Sequence, residues 1–104
     1  MLAIRPLPIK IDLEKIAAFC RERQIRKLSL FGSVLREDFD PKRSDIDVVV
    51  EMEPNARTGF RFFGYGDELA AILGPKVDFR TPAMISHYFR DKALANALTL
   101  YERA

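Results

Sequence analysis

Residues 28–51 read LSLFGSVLREDFDPKRSDIDVVVE, and the predicted architecture depends on them. An apolar run ends at Gly32 and Ser33, a polar loop follows, and Asp45 and Asp47 lead directly into three valines. Side chains two residues apart leave the same face of a strand, so the two carboxylates are predicted to point the same way. The stretch therefore predicts a strand, a sharp turn, a loop, and a second strand that begins with paired carboxylates.

Two carboxylates close together at the start of a buried strand repel each other. At ~4 Å and an effective dielectric near 20, their repulsion is on the order of 4 kcal/mol. A fold tolerates the pair if a cation lies between them or if both face water. Oxygen ligands with no thiolate or imidazole beside them favour Mg²⁺ or Mn²⁺ over zinc. The turn at Gly32 and Ser33 would bring backbone N–H groups near that cation, where a phosphate can bind.

A Gly-Ser turn, a spacer and Asp-x-Asp together resemble the nucleotidyltransferase superfamily that includes DNA polymerase beta. The chain length and the wording SDIDVVV are similar to those of the minimal nucleotidyltransferases (MNT), which are antitoxin partners of HEPN-domain toxins. The resemblance extends from about residue 12 to the end of the chain. The spacer from Val34 to Ser44 is one residue longer than the family usually has.

The resemblance implies an α+β fold, a small mixed sheet flanked by helices, and a set of site residues. Asp45, Asp47 and Asp78 would be catalytic and would hold two Mg²⁺ ions, with Mn²⁺ as a substitute. Asp78 would also accept the proton of the attacking hydroxyl. Gly32 and Ser33 would hold the β and γ phosphates of ATP.

Three basic residues are further candidates for nucleotide binding. Lys42 and Arg43 lie in the loop before Asp45, where they either neutralise triphosphate charge or belong to a solvated loop. Arg80 is predicted to share a strand face with Asp78, where it balances the acidic cluster, holds a phosphate or is a plain surface arginine.

Composition limits the class of protein. The chain has 104 residues, 48% hydrophobic and 31% charged, which predicts one globular domain, with residues 1–10 as an extended arm. A net charge of +2 is too small to indicate nucleic acid by itself. One cysteine permits no internal disulfide and fits a cytoplasmic location, and no segment has the length of a membrane span. The single histidine excludes a histidine-based zinc cluster.

Periodicity and turn signals predict the elements. A helix from Leu13 to Gln24 begins at an Asp12 cap, and its apolar stripe includes Cys20. Strands are predicted at 27–31, 45–52 and 76–80, and helices at 60–73 and 86–97. The core positions expected on the last helix include Tyr88, Phe89, Leu94 and Ala97. Residues 98–101 form either a short strand or the end of that helix.

Three functions remain open on the sequence. By resemblance, the chain transfers AMP from ATP to a tyrosine of a HEPN toxin and assembles with it, which silences the RNase activity of the toxin. A second reading is an antitoxin that neutralises its partner by binding alone. The third is a small nucleic-acid-binding module, in which the basic and aromatic residues between Arg57 and Phe63 stack on bases; burial in the core or against a protein partner is the favoured reading of that stretch.

Overall fold

The computed structural model describes residues 11–35, 39–40, 42–57 and 59–103. Within these residues the elements are helix α1 (Leu13–Glu22), strands β1 (Ile25–Phe31) and β2 (Ile46–Met52), helix α2 (Tyr65–Leu73), strand β3 (Val77–Arg80), helix α3 (His87–Ala95) and strand β4 (Leu98–Glu102). Short 3₁₀ helices cover Gly32–Leu35, Gly59–Gly64 and Pro82–Met84. The arm predicted at residues 1–10 lies outside the described residues.

The described strands form one mixed sheet in the order β3-β2-β1-β4. Strand β1 is antiparallel to both β2 and β4, whereas β2 and β3 are parallel. Parallel neighbours need a crossover connection, and α2 provides it between β2 and β3. The mixed sheet with flanking helices confirms the predicted fold class.

One face of the sheet carries the main core. Leu28 and Leu30 of β1 and Val48 and Val50 of β2 are fully buried there, against the buried residues of α1 and α2. The opposite face has a smaller cluster that includes Phe31 and Val49. The valines of β2 are therefore covered on both faces, as three consecutive valines predict.

Helix α1 begins as the sequence predicts. The Oδ1 atom of Asp12 accepts hydrogen bonds from the backbone N–H of Glu14 at 3.1 Å and of Lys15 at 3.2 Å. Cys20 is fully buried, and burial raises the pKa of its thiol to about 12, an effect that the nearby Arg23 and Arg21 only partly oppose. The prediction of a core cysteine is thus confirmed.

The second predicted helix starts later than expected. Residues 59–64 form a 3₁₀ helix that begins and ends in glycine, and regular α-helix starts only at Tyr65. Phe60 and Phe63 are 92% and 75% exposed, while Phe62 packs on Phe79 with ring centroids 5.3 Å apart. The stretch is therefore partly buried at one aromatic position and open to solvent at the other two.

Helix α3 corrects another prediction. Tyr88 and Phe89 are 82% and 66% exposed and Leu94 is exposed, so placing these three in the core was wrong. The helix approaches the sheet through Ala93, and Ala97 follows just beyond its end; both pack on the cluster of Phe31, Val49 and Ile85. Because the small residues face the sheet, the large ones are turned outward. Residues 98–102 form β4 rather than the end of this helix.

Membrane insertion gains no support from the described helices. Across the part of the chain that the structure describes, no helix has the length and apolar character needed to cross a bilayer.

Candidate active site

The turn after β1 brings a glycine against an acidic side chain. Gly32 has a φ of +74°, a left-handed conformation that favours glycine. A Cβ atom built on Gly32 would overlap the Oδ2 atom of Asp47 and lie 3.2 Å from its Cγ. The carboxylate of Asp47 therefore lies in a space that only a glycine leaves open.

The parallel pairing of β2 and β3 places two of the predicted acidic residues side by side. Asp47 is the register partner of Asp78 on β3 and, on its other side, of Phe31 on β1. Asp45 is exposed and lies immediately before the first residue of β2. The loop before Asp45, strands β2 and β3, and the turn at Gly32 thus meet at one end of the sheet.

Asp78 is engaged by an arginine on its own strand. The Nε atom of Arg80 donates to Oδ1 of Asp78 at 3.0 Å, and the second contact joins Nη2 to Oδ2 at 2.7 Å. Such a two-point contact fixes the plane of both groups. The side chains are 41% and 33% exposed, so solvent screening limits the contribution of the pair to below about 1 kcal/mol. Arg80 thus pairs with one acidic residue in this conformation, and its contact with a phosphate stays a prediction.

The donor chemistry of this site suits a hard divalent cation. Carboxylate oxygens are the ligands that Mg²⁺ and Mn²⁺ prefer, and the space above Gly32 accommodates the Asp47 carboxylate. In the conformation seen, no three His, Cys, Asp or Glu side chains among the described residues are grouped closely enough to hold one ion. In this conformation both oxygens of Asp78 contact the Arg80 guanidinium. Metal ligation by Asp45, Asp47 and Asp78 stays a prediction.

The loop before Asp45 is organised by Asp40. Its Oδ1 atom accepts a hydrogen bond from the backbone N–H of Lys42 at 2.9 Å, and its Oδ2 atom lies 3.8 Å from Nε of Arg43. Phe39, by contrast, is buried in the main core and anchors the loop. The side chains of Lys42 and Arg43 are exposed, and their contact with a phosphate stays a prediction.

Ser33 is the second residue of the 3₁₀ helix that begins at Gly32. Its predicted role in phosphate binding also stays a prediction.

A cleft beside the glycine turn was missed by the sequence reasoning. It measures about 500 Å³ and lies between the 3₁₀ helix at Gly32–Leu35 and α3, which contributes Phe89, Lys92 and Ala93, with its C-cap residue Asn96. A helical signal was present in the sequence, because positions 89, 92, 93 and 96 are spaced by three and four residues and share one helix face. That spacing defines a face but does not show which part of the sheet the face meets.

The comparisons with known proteins identify the family and the fold. The family model described as a nucleotidyltransferase domain matches residues 13–100. A search of curated proteins found no match.

Solved structures share the fold at low sequence identity. A putative minimal nucleotidyltransferase is 24% identical with a TM-score of 0.62, over 85% of this chain and 95% of the other. A toxin–antitoxin structure with AMP-PNP is 20% identical with a TM-score of 0.67, over 88% of this chain and 74% of the other. A tri-AMPylated Shewanella oneidensis HEPN toxin in complex with its MNT antitoxin contains a chain that is 21% identical, with a TM-score of 0.60, over 86% of this chain and 69% of the other.

The glycine turn, the acidic pair on neighbouring strands and the family match over residues 13–100 lead to one conclusion. The chain belongs to the nucleotidyltransferase domain family.

Proposed function

We propose that the chain transfers AMP from ATP to a tyrosine of a HEPN toxin and thereby acts as its antitoxin. The family model supports nucleotidyl transfer. The choice of acceptor is supported by the likeness to an MNT antitoxin in complex with an AMPylated HEPN toxin. The proposal treats the chain as a single domain that assembles with its target.

The observation that carries the proposal is the placement of Asp47. This residue is next to Asp78 in the sheet register and lies directly against Gly32. Phosphoryl and nucleotidyl transfer depend mainly on positioning the reacting groups and on neutralising the charge of the phosphates. A carboxylate fixed between a glycine turn and a second carboxylate supplies such a position.

Asp45, Asp47 and Asp78 are the residues that would hold two Mg²⁺ ions, or Mn²⁺. When bound, these ions would neutralise triphosphate charge and lower the pKa of the attacking hydroxyl. Gly32 and Ser33 bind the β and γ phosphates.

Asp78 takes the proton of the acceptor hydroxyl, whose oxygen forms a bond to the α-phosphorus while the bond to pyrophosphate breaks. To do so, Asp78 has to exchange its contact with Arg80. The guanidinium then becomes available to the negative charge that develops on pyrophosphate. Lys42 and Arg43 belong to the same proposal, as additional positive charge over the triphosphate.

The test is incubation with ATP labelled at the α-phosphate, Mg²⁺ and the purified product of the neighbouring gene. Label on a tyrosine of that protein is the expected result. The Asp47→Asn variant should lose transfer by at least about 100-fold, since the carboxylate is replaced where charge and position both matter. Glu51→Gln is the matched control, because Glu51 shares the strand and face of Asp47 but pairs with Arg26 away from the glycine turn. Absence of label with the native chain contradicts the proposal.

A second candidate is an antitoxin that neutralises by binding alone. The exposure of Phe60 and Phe63 favours it, because exposed aromatic side chains are enriched at protein interfaces. The Asp47→Ala variant separates the two functions. Loss of neutralisation with binding of the toxin intact supports the enzyme, whereas full neutralisation by the variant supports binding alone.

A further inference from the structure

We infer that the cleft between the 3₁₀ helix at Gly32–Leu35 and α3 binds the nucleoside of the substrate, with Phe89 as the surface on which the base stacks. This inference rests on the proposed function, which places the phosphates of the same nucleotide at Gly32. It assigns a role to helix α3, which the proposed chemistry does not otherwise use.

The first argument is position. Gly32 belongs both to the cleft wall and to the contact with the Asp47 carboxylate. A nucleotide whose phosphates are held at Gly32 carries its sugar and base on the α-phosphate, so they extend into a space that adjoins this residue. The cleft is a space of about 500 Å³ that begins at this residue, and pockets of some 300–1,000 Å³ are the usual size for small-molecule ligands.

The second argument is the character of the walls. Phe89 is aromatic yet 66% exposed, and it lines the same cleft as Phe31 and Leu35. An aromatic ring at the edge of a cleft offers a flat face, and bases of any kind stack on such faces. Lys92 lies one helical turn further along and adds a positive charge to the same wall. A flat apolar wall beside a cation suits a base joined to phosphate.

The third argument is that the helix face is fixed where the ligand would meet it. Ala93 packs on the sheet beside Phe31, and the Nδ2 atom of Asn96 donates to the backbone carbonyl of Lys92 at 3.0 Å. The packing of Ala93 sets the rotation of α3 about its axis, whereas the Asn96 bond only caps the end of the helix. Phe89 is consequently presented to the cleft by packing that does not involve its own ring.

The experiment compares two probes, Mn²⁺-ATP and Mn²⁺-tripolyphosphate, by calorimetry on the full chain. Tripolyphosphate carries the phosphates without a base, so it reports on phosphate binding alone. Phe89→Leu should weaken ATP binding about tenfold, since base stacking on an aromatic ring is of that order, and should leave tripolyphosphate binding unchanged. Phe89→Tyr keeps a flat ring and should bind ATP as the native chain does.

Tyr88→Leu is the matched control. Tyr88 is the adjacent residue on α3, it is 82% exposed, and it is not part of the cleft wall. Both replacements remove an exposed aromatic ring, so both should leave the folded state intact, and only the change at position 89 should affect ATP.

The outcomes distinguish this inference from the proposed function. ATP binding that is unchanged in Phe89→Leu overturns the inference while the proposed function stands. An equal loss for ATP and tripolyphosphate also overturns it, because the ring would then act on the phosphates or on the fold. If the native chain binds neither probe, both the inference and the proposed function fail.

Discussion

Replacing Gly32 by alanine should damage activity far more than stability. The residue has a φ of +74°, and an L-residue in a left-handed conformation costs roughly 1–2 kcal/mol. The added Cβ would overlap Oδ2 of Asp47. That oxygen is the end of a short side chain on a half-buried strand position, so it moves aside by rotation and the backbone keeps its place.

The expected loss of unfolding free energy is therefore about 1–2 kcal/mol, which is the backbone cost alone. The loss of activity is larger, because a displacement of about 1 Å at a catalytic group lowers the rate by about 100-fold. Urea denaturation measures the first quantity, and transfer of α-labelled AMP to the toxin measures the second.

Gly59→Ala is the control for this experiment. Gly59 has a φ of +55°, and a Cβ atom there meets nothing within 4 Å. It carries the same kind of backbone cost without the contact to Asp47, so its stability should fall by a similar amount while its activity stays native. The reasoning is refuted if Gly32→Ala transfers AMP at the native rate, or if Gly59→Ala loses as much activity as Gly32→Ala.

Other replacements test the core, the ion pair and the buried thiol. Leu30→Ala, at a fully buried position of β1, should lower the unfolding free energy by about 2–5 kcal/mol in urea denaturation. Arg80→Gln should lower it by less than about 1 kcal/mol, because its ion pair with Asp78 is partly exposed, yet should weaken nucleotide binding in calorimetry. The pKa of Cys20 is raised from 9.0 to about 12 in the folded chain, so above pH 9 the unfolded chain releases a proton that the folded chain keeps. The stability of the native chain relative to Cys20→Ala should consequently fall by up to about 1.4 kcal/mol per pH unit between pH 9 and pH 12.

Each of these expectations has a result that contradicts it. A loss below about 1 kcal/mol for Leu30→Ala would mean that the position is not packed as described. A large loss of stability in Arg80→Gln would give the ion pair a structural role. A difference between native and Cys20→Ala chains that stays constant above pH 9 would show that the thiol titrates alike in both states.

Local pattern was sufficient to predict the strand that carries the candidate site. In β2 the residues at positions 48 and 50 are fully buried on one face, and Asp47 faces the other way with Val49, as alternation requires. The cap of α1 at Asp12 followed from the same kind of short-range rule. These features depend on neighbours within a few residues, which the sequence displays directly.

Side-chain conformations and contacts between distant parts of the chain were not predictable in the same way. The sequence placed Asp78 and Arg80 on one strand face, but their two-point contact depends on rotamers that the pattern leaves open. Phe89 was predicted to lie in the core, whereas Ala93 of α3 and Ala97 beyond its end are the residues that pack on the sheet side. The cleft beside Gly32 joins residues that are far apart in the chain and could emerge only from the fold.

The division of β2 into two faces has a consequence for how this protein can change. Its fully buried valines set the stability of the sheet, while the alternate positions, from Asp47 onward, face the cleft side. A library that varies the second set but keeps Val49, which packs with Phe31 and Ile85, would search new chemistry on an unchanged scaffold. Evolution has the same freedom, so relatives of this chain can diverge in substrate while their cores stay alike.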